Sequence, residues 1–194
     1  MKLSTIVFAA LASTLPCSAL VVKKRQMPTQ AYNIHPNGDT AKCVGVSGGV
    51  LAVGSAVTIF DCNGTPSQKW AWWDGHDQSP LFVTNPTTNK RLCMNVADVT
   101  NFGNGSKLRL TNCLSTEGPS GNMHVNEIWA KPHAYETARE DIWFSLSSNP
   151  APYKSMCLDL TGGSKENRNV LQMWECAPHG QPTYMNQRWT LTAL

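Results

Sequence analysis

Apolar and polar residues alternate along this chain in short runs, cut off by clusters of glycine, asparagine and proline. Val57-Thr58-Ile59-Phe60, Lys107-Leu108-Arg109-Leu110 and Val170-Leu171-Gln172-Met173-Trp174 are such runs. A two-residue period puts every second side chain on one face, the signature of a half-buried strand, and the Gly/Asn/Pro clusters supply the turns. No segment sustains an apolar period of about 3.6 residues. His133 to Glu140 has room for one or two helical turns, but Pro132 and Pro150 bracket a region that reads as loop. The pattern predicts an all-β protein.

The runs recur in phase. One copy begins at Cys43-Val44-Gly45-Val46, reaches Ile59-Phe60-Asp61-Cys62 and ends at Gln68-Lys69-Trp70. A second begins at Cys93-Met94-Asn95-Val96, reaches Leu110-Thr111-Asn112-Cys113 and ends at Asn126-Glu127-Ile128-Trp129. The third runs from Cys157-Leu158-Asp159-Leu160 through Leu171-Gln172-Met173-Trp174-Glu175-Cys176 to Asn186-Gln187-Arg188-Trp189. A unit of this length with several short strands cannot bury its own apolar face, so three units must share a core. Trp70, Trp129 and Trp189 recur at the close of each copy and are expected inside it.

The first residues read as a secretory signal peptide over 1–19, with Lys2, an apolar run from Ile6 to Leu15 too short to span a bilayer, and Pro16-Cys17-Ser18-Ala19 at its end. Lys23-Lys24-Arg25 follows, either a dibasic cut ending a short propeptide (20–25) or an uncut solvated stretch. The domain is expected over 26–194, secreted and extracellular, with no membrane insertion. Charged residues are 15% of the chain, below the roughly 25% usual for soluble proteins. A neutral, turn-rich surface suits a neutral, hydroxyl-rich partner. The net charge of +3 leaves nucleic acid no electrostatic footprint. Asn63-Gly64-Thr65 and Asn104-Gly105-Ser106 are N-glycosylation triplets, in keeping with secretion.

Seven cysteines are encoded; with Cys17 in the signal segment, six remain. Fifteen pairings are open on sequence alone, but the repeat puts one pair in each copy: Cys43/Cys62, Cys93/Cys113 and Cys157/Cys176. A bridge closing a loop of about twenty residues contributes on the order of 3 kcal/mol in the chain-entropy view. No Cys-x-x-Cys occurs and the five histidines (His35, His76, His124, His133, His179) are scattered, so no metal or cofactor is expected and surface positions are the default for the histidines.

Three phased copies with Cys-Leu-Asp, a Gly/Asn turn, Gln-x-Trp-x-Cys and a closing Gln-x-Trp resemble the ricin B-chain type lectin domain, over about Tyr32 to Leu194. The resemblance implies a β-trefoil of three pseudo-symmetric lobes, each of four strands with one intra-lobe disulfide. The copies are longer than a compact trefoil unit, which implies longer loops at Ala71 to Asn89, Ser115 to Val125 and Lys131 to Tyr153. In the family a sugar is held by an aspartate, an aromatic ring and polar side chains beside the closing tryptophan. Carried onto the third copy these are Asp159, Trp174, Asn186 and Gln187, with Gln172 beside the ring. The first copy has Gly45 and Phe60 at the same spacing, with Ser67 and Gln68 near its end, and makes a weaker candidate site at Phe60 and Gln68. The middle copy has Asn95, Thr111 and Asn126-Glu127, and is expected to be inactive.

These groups suit a pyranose, which has an apolar face and a rim of hydroxyls. An indole gives the platform, an ionised carboxylate accepts from two hydroxyls, and Asn186 both donates and accepts. Gln187 either orients Asp159 or touches the sugar. Asp159 could instead cap a turn, and Trp72-Trp73 could be an exposed patch, although strand packing is favoured. Glu136, Glu140 and Asp141 are near in sequence, but nothing sets two of them across a glycosidic bond, so no enzyme is expected. The reading is a secreted lectin for galactose or N-acetylgalactosamine-type glycans or glycoproteins, working mainly through the third lobe. Its oligomeric state is not legible. The alternative is a trefoil scaffold without sugar binding, such as a protease inhibitor or toxin-like effector, since fold alone does not set function.

Overall fold

The computed structural model of the protein describes residues 29–98, 102–116, 122–124, 127–134, 137–144, 155–178 and 180–194. The signal segment, the Lys23-Lys24-Arg25 tract, Asn126, Glu136 and His179 lie outside them. Among the described residues the regular structure is strands and single 3-10 turns, with no α-helix. The first lobe holds β1 (Thr29–Pro36), β2 (Lys42–Val46), β3 (Val57–Asp61) and β4 (Trp70–Trp73). Then come β5 (Gln78–Pro80), and in the second lobe β6 (Phe82–Thr84), β7 (Arg91–Val96), β8 (Leu108–Asn112) and β9 (Ile128–Ala130). The third lobe holds β10 (Trp143–Phe144), β11 (Met156–Asp159), β12 (Gln172–Glu175) and β13 (Trp189–Ala193). β13 pairs with β1, so the last strand closes on the first.

Each lobe contains the same antiparallel pair. Cys43 faces Phe60 and Gly45 faces Thr58 in β2–β3. Cys93 faces Thr111 and Asn95 faces Arg109 in β7–β8. Cys157 faces Trp174 and Asp159 faces Gln172 in β11–β12. Residues opposite one another across such a pair share a sheet face, so the first cysteine, the aspartate place and the ring place of each lobe lie on one face. The disulfides Cys43–Cys62, Cys93–Cys113 and Cys157–Cys176 are all formed, one per lobe.

The closing tryptophans occupy equivalent places in the shared core, and Trp70, Trp129 and Trp189 are buried. Each indole N–H donates to the carbonyl that follows the first cysteine of its own lobe: Trp70 to Val44 at 2.9 Å, Trp129 to Met94 at 3.0 Å, Trp189 to Leu158 at 2.9 Å. A buried indole needs such a partner, and repeating one bond three times ties each lobe's end to its beginning.

The lobes also hold one another in a ring, through one turn per lobe. Gly54 and Ser55 of the first lobe exchange backbone hydrogen bonds with Leu110 of the second. Gly105 and Ser106 of the second do the same with Met173 of the third, and Arg168 and Asn169 of the third with Ile59 of the first. Each turn therefore flanks the ring place of the next lobe. The central residue has positive φ in all three: 89° at Gly54, 89° at Gly105 and 73° at Arg168. That conformation costs a non-glycine residue roughly 1–2 kcal/mol.

This arrangement is a β-trefoil, as the resemblance implied. Two expectations need correction. Ala71 to Asn89 is not one long loop: it carries most of β4, all of β5 and β6, and then a turn. Trp72, Trp73, Leu81, Phe82 and Val83 are buried there, and β5 adds to β9 through Gln78–Ala130 and Ser79–Trp129. Burial of Trp72 and Trp73 also settles their place in strand packing. His35 is not at the surface. Its ring lies under β2, with Nδ1 2.8 Å from the Lys42 carbonyl and Nε2 3.0 Å from Thr192 Oγ1, a site where both nitrogens have polar partners.

Candidate functional site

The β11–β12 pair brings the third-lobe residues together. Gln172 Nε2 donates to Asp159 Oδ1 at 2.8 Å, and Gln187 Nε2 donates to Oδ2 at 3.3 Å. Trp174, two residues beyond Gln172 on the same face, is a diagonal neighbour of Asp159, a spacing of roughly 7–8 Å between backbones. Trp174 is 41% exposed, whereas Asp159 is 5% exposed. The pair therefore presents an open aromatic surface beside a recessed carboxylate. An ionised carboxylate has about four lone-pair directions, and two amide donors leave part of that capacity for hydroxyls.

Burial raises the Asp159 pKa above the ordinary carboxylate value, against the two amide hydrogen bonds and the Lys107 charge, which lower it. Lys107 comes from the second lobe. Its Nζ donates to Gln172 Oε1 and to Thr161 Oγ1, both at 2.9 Å. Lys107 thus fixes which end of the Gln172 amide faces Asp159: the oxygen is held by the ammonium, so the NH2 is turned to the carboxylate.

Gln187 is fully buried, and its Nε2 also donates to the Glu175 carbonyl at 3.0 Å. Of the two roles open from sequence, orienting Asp159 is the one its position supports. Asn186 is half-buried, and its backbone carbonyl accepts from Leu160 N. The 3-10 turn Thr161–Gly163 walls it in: a Cβ added at Gly163, where φ is 68°, would lie 2.9 Å from Asn186 Oδ1. Here the glycine is required both by conformation and by space.

The other lobes depart from this set in instructive ways. In the first, the turn Ser47–Gly49 repeats the Gly-Gly geometry, and Phe60 is half-buried at the ring place. Gln68 is buried, donates to the Asp61 carbonyl at 2.8 Å and accepts from Asn63 N at 2.8 Å. A Cβ on Gly45 would meet Gln68 Cγ at 3.0 Å, so the glutamine stem crowds the place of the carboxylate. In the second lobe, Thr111 turns its hydroxyl back to the Cys93 carbonyl and buried Asn95 accepts from Val96 N. Glu127, at the Gln68 and Gln187 place, is buried and accepts from Leu114 N and Ser115 N. Among the described residues, no exposed ring and no free carboxylate remain at the equivalent place.

Sequence reading missed Lys107, because its contact crosses between lobes, and Tyr184, which is exposed at the place Thr65 takes in the first lobe. Counting three residues back from Gln187 would have found Tyr184. Both triplet asparagines, Asn63 and Asn104, are exposed, and Asn104 Oδ1 accepts from Glu175 N at 2.7 Å, beside Trp174. Of the carboxylates singled out, Asp141 pairs with Arg139 and Glu140 with Arg188. The clusters His35/Cys43/Cys62 and Asp141/Cys157/Cys176 have metal-like spacing, but their sulfurs are joined in disulfides and offer no thiolate.

No protein-family profile and no curated protein sequence matches the chain. Solved structures do. A designed threefold-symmetric protein, ThreeFoil, matches at TM-score 0.58 and 16% identity, covering 84% of this chain and 99% of its own. The Rhizoctonia solani agglutinin matches at 0.53 and 15%, covering 88% and 99%. The C-terminal half of an earthworm R-type lectin, solved with GalNAc, matches at 0.52 and 15%, covering 86% and 100%. The protein is a β-trefoil, with the three-lobed frame that the agglutinin and the earthworm lectin share.

Proposed function

We propose that this protein is a lectin that binds galactose or N-acetylgalactosamine-type glycans through its third lobe. The observation that carries the reading is the exposed Trp174 on one sheet face with Asp159, whose carboxylate is held from both sides by Gln172 and Gln187. The indole offers a platform for the apolar face of a pyranose, with a contact worth roughly 0.5–1.5 kcal/mol beyond area burial. Asp159 accepts from hydroxyls at the ring's edge, and Asn186 completes the rim. The GalNAc bound to the earthworm lectin supports the choice of sugar class. Secretion, with residues 1–19 as signal peptide, and glycosylation at Asn63 and Asn104 belong to the same reading, in keeping with three disulfides.

One shallow site gives a monosaccharide Kd near millimolar, about −4 kcal/mol; tighter binding needs several linked sites. The test is a glycan array with the purified protein and Trp174→Ala. Galactose-type signals that vanish in the variant support the reading. A wild type silent on every glycan overturns it in favour of a scaffold without sugar binding.

A further inference from the structure

The first lobe has an open hollow of about 630 Å³ over the β2–β3 pair, lined by Gly45, Gly49, Phe60, Ser67 and Gln68 among others. Its lining differs from the third-lobe site in charge. Among the described residues no aspartate or glutamate lines it, and the one charged residue that does is Arg168, contributed by the turn of the third lobe that clasps Ile59. In the antiparallel register set by the Thr58–Val170 bridge, Arg168 lies opposite Phe60. It stands beside that ring as Gly105 stands beside Trp174.

Two further observations single Arg168 out. At the equivalent turns the chain uses Gly54 and Gly105, so a side chain here is held in left-handed backbone against the local preference. The Arg168 side chain is exposed, and among the described residues no side-chain hydrogen bond or ion pair neutralises it. Asp61, next to Phe60 on β3, is engaged instead by Lys42 and Asn167. A residue held in left-handed backbone, its charge unpaired among the described residues, is a candidate for ligand contact.

We propose that this hollow binds an acidic saccharide, one carrying a carboxylate or a sulfate, with Arg168 as the anion-binding residue and Phe60 as the platform. The inference rests on the lectin reading and extends it to a second site of opposite charge preference. A planar guanidinium takes a carboxylate or sulfate through two parallel N–H bonds, while the Gly45 place has no carboxylate to repel the anion. Gln68, with both ends of its amide already bonded, closes the floor and takes no part in binding.

The experiment measures binding of 3′-sialyllactose, 3′-sulfolactose and lactose to the wild type, Arg168→Gly, Arg168→Lys and Trp174→Ala at low and physiological salt. Arg168→Gly installs the residue the other two turns already carry, so it folds. The expected result is binding of one or both acidic probes in the wild type that falls at least tenfold in Arg168→Gly, partly in Arg168→Lys, and is retained in Trp174→Ala. Which acidic probe binds separates carboxylate from sulfate recognition. Equal binding of the acidic probes by wild type and Arg168→Gly, or binding of lactose alone, overturns this inference and leaves the third-lobe reading standing. Loss of all three probes in Trp174→Ala assigns every sugar to the third lobe and also overturns it; a wild type that binds neither acidic probe overturns it too, and the third-lobe reading is then decided by the glycan array alone.

Discussion

Gln172 and Asp159 face each other across the β11–β12 pair, and the glutamine amide donates to the carboxylate at 2.8 Å. This carboxylate is buried enough that its pKa lies above the ordinary aspartate value. In the window between the ordinary and the raised value, the folded protein holds a proton that the unfolded chain releases. Stability therefore falls as pH rises through that window, while the ionised acceptor needed for sugar appears in the same interval. Galactose affinity is expected to rise as pH climbs through it and to level off above it. Isothermal titration at a series of pH values checks this. An affinity that does not change with pH above the ordinary aspartate pKa would show that Asp159 is not the sugar's acceptor.

Burial places that rise above the ordinary aspartate range, and Lys107 draws it back down without touching the sugar. Its charge lowers the Asp159 pKa and its Nζ holds the Gln172 oxygen. Lys107→Met removes both effects. The rise in affinity is expected at higher pH, and affinity at neutral pH should drop several-fold because the Gln172 amide is free to turn over. A merely structural lysine would change the melting temperature and leave the midpoint of the pH profile in place.

The second lobe tests how the closing glutamine works. Glu127 offers a buried carboxylate to Leu114 N and Ser115 N, where Gln68 uses one amide oxygen for Asn63 N and its NH2 for the Asp61 carbonyl. Glu127→Ala leaves two backbone donors without a partner, at about 1–3 kcal/mol each. Glu127→Gln keeps one acceptor oxygen and puts an NH2, which cannot accept, against the other backbone donor, so it is expected to cost about half as much as Glu127→Ala. Urea unfolding of both variants makes the comparison. Equal losses would mean that the carboxylate charge, not the acceptor, is what the lobe needs.

The three lobes were legible in the sequence because cysteine pairs and closing tryptophans are demanded by a shared core, and a core leaves a regular trace. That Asp159 and Trp174 share one face, with Gly45 and Thr111 standing at the corresponding places of the other lobes, was legible for the same reason, as differences between copies of a repeat. Lys107 and Arg168 were not. Each reaches a site in the next lobe, and residues that meet across lobes have no fixed spacing to betray them. His35 was misread because a lone histidine carries no period; its burial depends on the carbonyl of Lys42 and the hydroxyl of Thr192, brought together only by β1 pairing with β13. In Ala71 to Asn89 the longer loop was read from the length of the copy, and β5 and β6 were missed because length was weighed before apolar content.

Two tryptophans of the third lobe should behave in opposite ways. Trp189 is 2% exposed and its indole satisfies the Leu158 carbonyl. Trp189→Phe removes that donor and leaves a void beside the core, so a loss of about 2–4 kcal/mol is expected, with sugar affinity kept while the protein remains folded. Trp174 is 41% exposed and its place holds Phe60 and Thr111 in the other lobes, so the fold does not depend on an indole there. Trp174→Ala should change stability by no more than about 1 kcal/mol and abolish galactose binding. Thermal melts and titrations on the two variants separate the roles. If Trp174→Ala melts as early as Trp189→Phe, the exposed ring is a packing residue after all, and the site loses its platform.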